Sequence, residues 1–260
     1  MTIPVASKVG SAAAERAHLR VLGIRVDDVA LDEVMRLILS SIERDACAHI
    51  VTLNPEYVMR ARADATLRAI IERAALVTAD GAGITQALRL AGTPLRERIT
   101  GNDLTHAAAE VGIPLFLLGA APSVAETAAD VLRVRYPSTT IVGTWSGDAD
   151  ARDDAEARAR INATDAAVVL VAYGMPKQDQ WIDRNLSHLR APVAIGVGGT
   201  FDYLAGRVPR APEWMRARGL EWVYRLSRQP MRFPRIVRVW QFGVWATVAA
   251  IRQRFGREET

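Results

Sequence analysis

Short apolar runs alternate with amphipathic segments along most of this chain, and this alternation restricts its fold more than any other feature. Residues 48–53, 114–118, 166–172 and 192–197 are almost uninterrupted runs of Val, Leu, Ile, Ala and Phe. Runs of this kind are typical of strands that are covered on both faces. The alternation predicts an α/β fold with a Rossmann-like, mostly parallel sheet flanked by helices.

Helical periodicity separates these runs, and we predict helices over residues 29–43, 57–74, 123–136, 150–163 and 177–189. Further short strands are predicted over residues 21–26, 76–79 and 139–144. Ser123 and Glu126 have the spacing of a capping box at the start of a helix. Glycine-containing turns follow several strands, so we expect them at the carboxyl edge of the sheet, where open α/β folds bind ligands.

The basic residues are concentrated near the carboxyl terminus. From Arg207 to Arg257 the chain has twelve arginines and two acidic residues, a net charge of +10, whereas the remainder has a net charge of −6. Four of the six tryptophans lie at or beyond Trp214. We therefore predict a flexible leader (residues 1–19), an α/β domain (20–212) and a basic, Trp-rich appendage (213–260) that suits an anionic membrane surface.

Several classes of protein are excluded by composition. The single cysteine, Cys47, rules out an internal disulfide and favours a reducing compartment. The four histidines are scattered and suggest no metal cluster. No stretch reaches about 18 apolar residues, so no transmembrane helix is predicted. Asp148 and Asp150 have the spacing of a metal–nucleotide motif, but their Asp-rich surroundings favour an exposed loop.

Two polar motifs follow the strands at 48–53 and 76–79. Thr52 and Asn54 offer neutral hydrogen-bonding groups for sugar hydroxyls or a phosphate, although Asn54 alone is better explained as a helix N-cap. Asp80 precedes Gly81 at a strand end, where a carboxylate could accept a proton from an attacking hydroxyl. A simple turn with Asp80 as a cap is the structural alternative.

A third motif joins Arg98 to a helix start that contains Gly101 and Asp103. An arginine beside a helix N-terminus can neutralise a diphosphate, assisted by backbone N–H groups. A surface arginine that precedes an ordinary N-cap explains the same residues equally well.

The last two motifs follow the strands at 166–172 and 192–197. In the first, Gly174 precedes Lys177 and Gln178 at a helix start that suits a nucleotide diphosphate, or that simply accommodates a proline. In the second, the run Gly198, Gly199, Thr200, Phe201 and Asp202 is rich in glycine. It matches neither the dinucleotide fingerprint nor the Walker pattern.

Taken together and in this order, the motifs resemble the WecG/TagA/CpsF family of glycosyltransferases. The resemblance runs from about residue 21 to residue 235 and also includes the Arg-Ala-Pro-x-Trp segment that begins at Arg210. Asp179 stands where a glutamate is often found, which is a mild departure.

The resemblance implies an inverting, metal-independent enzyme that needs no cofactor. Its donor would be a UDP-sugar, typically of N-acetylmannosamine or its uronic acid. Its acceptor would be a polyprenyl-diphosphate-linked sugar such as undecaprenyl-diphosphate N-acetylglucosamine. The product would enter a cell-wall or surface polysaccharide such as teichoic acid. The enzyme would lie in the cytoplasm, peripherally on the inner face of the plasma membrane.

The resemblance also implies roles for individual residues. Asp80 matches the catalytic base, Arg98 the arginine that stabilises the leaving diphosphate, and Thr52 and Gln178 match polar active-site positions. The positions that match substrate-binding motifs are Asn54, Gly81, Gly101, Asp103, Gly119, Gly174, Lys177, Gly198, Gly199, Phe201 and Asp202. The arginines that match the acceptor and membrane region are Arg210, Arg225, Arg232 and Arg235.

Two alternatives remain at this point. The strand–glycine–helix pattern also occurs in Rossmann-type NAD-dependent oxidoreductases, although their fingerprint is missing. The tail alone would suit a non-catalytic adaptor on membranes or nucleic acid. We rank the membrane surface above nucleic acid, because the implied acceptor is a lipid. Whether the chain forms a homo-oligomer stays open.

Overall fold

A six-stranded parallel sheet forms the centre of the protein in a computed structural model, which describes residues 18–207, 212–218, 223–224 and 233–255. An antiparallel hairpin precedes the sheet and comprises β1 (His18–Val21) and β2 (Ile24–Asp27). The sheet contains β3 (Ala48–Leu53), β4 (Leu76–Ala79), β5 (Pro114–Gly119), β6 (Thr140–Trp145), β7 (Val168–Ala172) and β8 (Val193–Gly196). Their spatial order is β4-β3-β8-β7-β5-β6.

Helices cover both faces of the sheet. One face carries α1 (Leu31–Glu43), α5 (Gly101–Val111), α6 (Val124–Arg135) and α9 (Thr200–Leu204). The other face carries α2 (Pro55–Ala63), α3 (Ala65–Arg73), α4 (Ala82–Leu90), α7 (Asp154–Asn162), α8 (Lys177–Asn185) and α11 (Phe233–Phe255). The short helix α10 (Glu213–Ala217) lies between α9 and α11 in the chain.

The central strands are buried on both faces because their successive side chains enter opposite cores. In β3, Ile50 packs with the α1, α5 and α6 layer, whereas Val51 packs with the α2, α3 and α4 layer. In β7, Leu170 and Val169 divide in the same way between the two layers. This burial accounts for the uninterrupted apolar runs, and the predicted α/β fold with a mostly parallel sheet is confirmed.

The strand order brings distant motifs together. The chain passes from β3 to the edge strand β4 and then crosses to β5 and the opposite edge, β6. It returns through β7 and β8, which fill the gap beside β3. The carboxyl ends of β3, β4, β7 and β8 therefore lie along one edge of the sheet, at the crevice where such folds bind ligands.

Local predictions were wrong where a turn or a cap interrupts a periodic segment. The single strand predicted at 21–26 is instead the end of β1, the turn of the hairpin and most of β2, because Leu22 and Gly23 have positive φ angles of 51° and 83°. The helix predicted at 57–74 is two helices, since the Asp64 side chain accepts hydrogen bonds from the N–H groups of Thr66 and Leu67 and starts a new helix.

The capping box predicted at Ser123 does not form. Ser123 has a φ of 67° and makes no side-chain cap hydrogen bond. The helices predicted at 150–163 and 177–189 are shorter, because 3-10 turns at Ala151–Asp153 and Leu186–His188 occupy their ends. Residues 1–17 of the predicted leader lie outside the described residues, and β1 begins at its last two positions.

Asp27 ties the hairpin to the edge of the sheet. Its buried carboxylate accepts hydrogen bonds from both ends of the Arg25 guanidinium at 2.8 and 2.9 Å and from the backbone N–H of Val77 on β4 at 2.9 Å. Its Oδ1 also lies 2.6 Å from Nδ1 of His18. Arg25 in turn donates to the carbonyl of Ala74. One carboxylate therefore satisfies donors from three parts of the chain.

We expect Asp27→Ala to lower the free energy of unfolding by about 3 kcal/mol, because it leaves the partly buried Arg25 charge and the Val77 N–H without their acceptor. Urea denaturation measures this change. Asp130→Ala removes an exposed carboxylate that pairs with Arg133 on the same helix, and it is expected to cost less than about 0.5 kcal/mol. Equal losses in the two variants would contradict the role of Asp27.

Candidate active site

Thr52 joins the end of β3 to the end of β8. Its buried hydroxyl donates a hydrogen bond of 2.7 Å to the carbonyl of Gly196. The first motif is thus in direct contact with the end of the strand that precedes the glycine-rich run. Because the hydroxyl proton is already donated, only the lone pairs of Thr52 remain for a ligand.

Asp80 stands at the end of the neighbouring edge strand β4. Its backbone N–H donates to the carbonyl of Leu53 at 2.7 Å, and its side chain is half-buried. The following turn is tightly packed. Gly81 has a φ of 108°, and a Cβ on Gly83 would lie 2.7 Å from Cγ of Pro55. The small residues after Asp80 are therefore required by the close approach of the two turns that follow β3 and β4.

Arg98 is brought alongside Asp80 by the backbone. The N–H of Ile99 donates to the carbonyl of Ala79 at 3.1 Å. Arg98 directly precedes Ile99 and Asp80 directly follows Ala79, so the hydrogen bond holds the two residues close together. Arg98 is exposed, so its side chain lies at the surface beside this strand end. A carboxylate and a guanidinium that are 18 positions apart in the chain thus share one edge of the sheet.

The amino terminus of α5 faces the end of β8. A Cβ on Gly101 would lie 2.7 Å from Cα of Val197, which explains why glycine occupies the first position of this helix. Thr100 and Asp103 form a capping box, in which the carboxylate accepts from the Thr100 N–H at 2.9 Å. Asp103 therefore serves its own helix start, while the positive end of the α5 dipole is directed towards the crevice.

Gln178 joins the start of α8 to the glycine loop, which we define as Gly196–Gly199. Its Oε1 accepts a hydrogen bond of 3.0 Å from the N–H of Gly198, and the side chain is buried. Its Nε2 packs so closely on Gly196 that no Cβ would fit there. Lys177, one position earlier, is exposed.

The other predicted substrate-binding residues near these strand ends have different environments. Gly199 is exposed, and Asp202 on α9 is half-buried beside it. Phe201 is fully buried in the core below the loop, so it supports the loop and does not line the crevice. Asn54 is the N-cap of α2, because its Oδ1 accepts from the N–H of Tyr57 at 2.9 Å.

Glycines also mark the ends of β5 and β7. Gly119 has a φ of 99°, and a Cβ there would lie 2.9 Å from the Tyr173 ring. Gly174 has a φ of 74°, which favours glycine at the turn between β7 and α8. Both glycines therefore allow the strand ends next to the glycine loop to turn sharply.

The long helix α11 packs against the two turns that carry Asn54 and Asp80. Its Phe242 is buried near Gly83, and Arg238 forms an ion pair of 3.3 Å with Glu56 on α2. Exposed apolar residues lie along the rest of the helix, and we call them the α11 stripe: Val237, Trp240, Val244, Trp245, Val248 and Ile251. Within the described residues, no helix is sufficiently long and apolar to span a bilayer.

Most of the arginines predicted for the acceptor and membrane region lie outside the described residues. Arg210, Arg225 and Arg232 lie outside the described residues. Arg235 lies in α11, although its side chain is also outside the description.

The Asp-rich segment forms an exposed turn, as expected. Asp148 accepts from the N–H of Asp150, and Asp150 accepts from both the backbone and the guanidinium of Arg152. These hydrogen bonds from Arg152 lower the pKa of Asp150 to about 2. Across the part of the chain that the structure describes, no three His, Cys, Asp or Glu side chains form a group that could hold a metal ion.

A buried polar cluster below the glycine loop was missed by the sequence analysis. Asp179 is fully buried, and its Oδ1 lies 3.2 Å from Nε2 of His49 on β3. The sequence did contain a signal of this cluster: His49 lies inside the apolar run 48–53, which otherwise indicates complete burial, and a buried histidine requires a polar partner.

Comparison with known proteins agrees with this arrangement. Residues 19–258 match the Glycosyl transferase WecG/TagA/CpsF family. A relative from Bacillus spizizenii, an N-acetylglucosaminyldiphosphoundecaprenol N-acetyl-beta-D-mannosaminyltransferase, is 31% identical over 218 residues, which cover 82% of this chain and 84% of the relative. The match extends over both the sheet that positions the motifs and the α11 helix. The chain therefore belongs to the WecG/TagA/CpsF family and is a glycosyltransferase.

Proposed function

We propose that this glycosyltransferase moves a sugar of the N-acetylmannosamine type from a UDP-sugar to N-acetylglucosamine linked to a polyprenyl diphosphate, with inversion at the anomeric carbon. The acceptor and the sugar follow the name of the Bacillus spizizenii relative. The product would be an early intermediate of a cell-wall or surface polysaccharide. Family membership excludes the oxidoreductase and the non-catalytic adaptor as the activity of this chain.

The observation that carries this proposal is the adjacency of a base and a cationic site at one edge of the sheet. Asp80 follows β4, and the segment that carries Arg98 is hydrogen-bonded to the same strand end. The amino terminus of α5 begins three residues after Arg98 and faces the glycine loop. Inverting transfer requires a base for the acceptor hydroxyl and positive charge for the leaving diphosphate.

The proposed step is a single displacement. The acceptor hydroxyl oxygen attacks the anomeric carbon of the donor, and its proton moves to the Asp80 carboxylate. The bond between the anomeric carbon and the diphosphate breaks, and UDP leaves with its added negative charge near Arg98 and the α5 amino terminus. These groups could stabilise that charge without a metal ion, in keeping with the metal-independent reaction that we expect.

The test is a panel of UDP-sugars with one short-chain acceptor, polyprenyl-diphosphate N-acetylglucosamine, in the presence of EDTA. We expect transfer from UDP-N-acetylmannosamine, with the β configuration in the product by NMR coupling constants. Transfer from another UDP-sugar alone would correct the sugar. Transfer that requires an added divalent cation would contradict the metal-independent reaction, and retention of configuration would contradict the single displacement.

We also propose that α11 rests on the membrane surface on the cytoplasmic side. The α11 stripe is apolar and exposed, while the opposite side of the helix packs on α2 and α4 through Phe242 and Ala246. The surrounding tail carries a net charge of +10, which suits anionic headgroups. An amphipathic helix with these properties is typical of an interfacial segment.

We expect the double variant Val237→Glu/Val244→Glu to bind vesicles that contain an anionic phospholipid at least tenfold more weakly than the wild type. The variant replaces two exposed apolar side chains by carboxylates, whose negative charge is repelled by the anionic headgroups. Co-sedimentation with the vesicles measures this loss. Val134→Glu, which alters an 86% exposed valine on α6, is the matched control and is expected to leave binding unchanged. Equal binding by all three proteins would contradict the α11 assignment.

A further inference from the structure

Asp179 and His49 form a buried acid–imidazole pair immediately behind the candidate active site. Asp179 is 0% exposed and His49 is 8% exposed. Burial of a carboxylate is unfavourable unless hydrogen bonds or a paired charge compensate for the lost water. His49 provides one partner at 3.2 Å, and the first turn of α8 provides the positive end of a helix dipole. The fold therefore maintains a carboxylate at a site where water cannot stabilise it.

The position of Asp179 connects this pair to the glycine loop. A Cβ on Gly196 would lie 3.0 Å from Oδ1 of Asp179, so the carboxylate is in close contact with that glycine. The preceding residue, Gln178, accepts the hydrogen bond from the Gly198 N–H. Thr52, three residues after His49 on β3, donates to the Gly196 carbonyl. The pair thus adjoins Gly196 and Gln178, which take part in two of the side-chain hydrogen bonds made to the loop.

Tyr57 on α2 closes the cluster on its other side. Its side chain is fully buried, and its hydroxyl interacts electrostatically with Asp179. Burial, followed by the negative charge of Asp179, raises the pKa of the Tyr57 hydroxyl well above its usual value. The hydroxyl therefore stays protonated and places a neutral dipole beside the carboxylate. Residues from β3, α2 and α8 surround Asp179.

We propose that His49 and Asp179 are positioning residues, which hold the first turn of α8 against Gly196 so that Gln178 keeps the Gly198 N–H and the glycine loop in place for the donor. His49 anchors Asp179 to β3, and Asp179 fixes the start of α8 on the end of β8. Neither side chain reaches the crevice. This inference rests on the proposed function for one point, namely that the loop binds the nucleoside diphosphate of the donor.

The experiment compares Asp179→Ala with Asp179→Asn, using a readout at the loop itself. Hydrogen exchange of the Gly198 amide, followed by NMR, reports the hydrogen bond to Gln178. We expect Asp179→Ala to accelerate this exchange about five- to tenfold, the factor that corresponds to weakening one hydrogen bond. Asp179→Asn retains an acceptor for His49 and a similar shape, so its exchange is expected to remain near the wild-type rate. His49→Ala removes the anchor and is expected to act in the same direction as Asp179→Ala.

Calorimetry with UDP supplies the second readout. We expect Asp179→Ala to raise the Kd for UDP about tenfold with an unchanged number of sites. A role in folding alone would instead reduce the number of sites and leave the Kd unaltered. The matched control is Asp27→Ala, which also removes a buried aspartate bonded to a histidine, but far from the loop. It is expected to retain wild-type Gly198 exchange and UDP affinity despite its lower stability.

The outcomes separate the two proposals. Wild-type Gly198 exchange in both Asp179→Ala and His49→Ala, or equal acceleration in Asp27→Ala, would overturn the positioning role. Failure of the wild-type protein to bind UDP would overturn the donor assignment, while the exchange measurement would still decide the role of the pair. Accelerated exchange with unchanged UDP affinity would show that the pair holds the loop but that the loop does not bind the diphosphate.

Discussion

Replacement of Asp80 by Asn is expected to lower kcat by roughly 10³-fold, with little change in the Kd for UDP. The amide has nearly the same shape as the carboxylate but cannot accept the proton of the acceptor hydroxyl, and general-base catalysis is typically worth about 10² to 10⁴ in rate. The substitution replaces only one oxygen of the half-buried Asp80 side chain, so we expect the packed turn at Gly81 and Gly83 to keep its conformation. Steady-state transfer to the short-chain acceptor and calorimetry with UDP measure the two quantities.

A matched control distinguishes chemistry from folding. Asp64→Asn alters another aspartate at a helix start, whose Oδ1 caps α3 far from the carboxyl ends of the strands. We expect it to retain kcat within about twofold, since an asparagine side chain can still cap a helix. Wild-type kcat in Asp80→Asn would remove Asp80 from the role of base. A parallel loss of UDP-binding sites would instead indicate misfolding, and Asp80→Glu would then test the position of the carboxylate.

The second large effect is expected at Arg98. We expect Arg98→Gln to lower kcat by about 10²- to 10³-fold, because the departing UDP loses a cation that stabilises its charge in the transition state. The amino terminus of α5 would remain to stabilise part of that charge. Since lysine retains the charge but not the bidentate geometry, Arg98→Lys is expected to recover part of the rate.

Arg96 is the appropriate control for Arg98. It lies two positions earlier in the same segment, is similarly exposed, and forms ion pairs with Asp28 and Glu33. Arg96→Gln is expected to change kcat by less than about twofold and to cost less than about 1 kcal/mol of stability. If both variants lose activity to the same extent, the effect belongs to the segment as a whole and not to the Arg98 guanidinium.

The elements that were predicted correctly are those whose signal is local. The strand at 48–53 and the strand at 76–79 coincide with β3 and β4, because each is a short apolar run ended by a polar turn. The helices that start at Gly101 and Lys177 were also indicated by glycine or proline at the helix start. These signals act within a few residues, so they can be read without the rest of the fold.

The errors have an equally physical origin. Residues 21–26 of the hairpin were read as one strand, because the positive φ of Leu22 is not a conformation that leucine favours by itself. The hairpin is stabilised by Asp27, whose partners include Val77 on β4. Similarly, Ser123 adopts a left-handed conformation and does not cap its helix. In these cases, packing of the surrounding chain determined the local conformation.

The polar motifs show the same division between local and distant causes. Asn54 and Asp103 are used in capping their own helices, as their sequence context allowed. Thr52 and Gln178 bond to the glycine loop instead, at sequence separations of 144 and 20. A hydrogen bond between residues this far apart depends on the order of the strands, which no local pattern specifies.

By itself, the sequence determined the α/β class, the glycine turns at the strand ends, the basic tail and the family to which the chain is similar. Only the tertiary structure decided that β8 lies between β3 and β7, which places Thr52 beside Gly196 and the segment of Arg98 beside Asp80. It also revealed Asp179 and His49 as a pair. The reason is that residue patterns encode the periodicity and burial of each element, whereas strand order results from the long-range packing of many elements together.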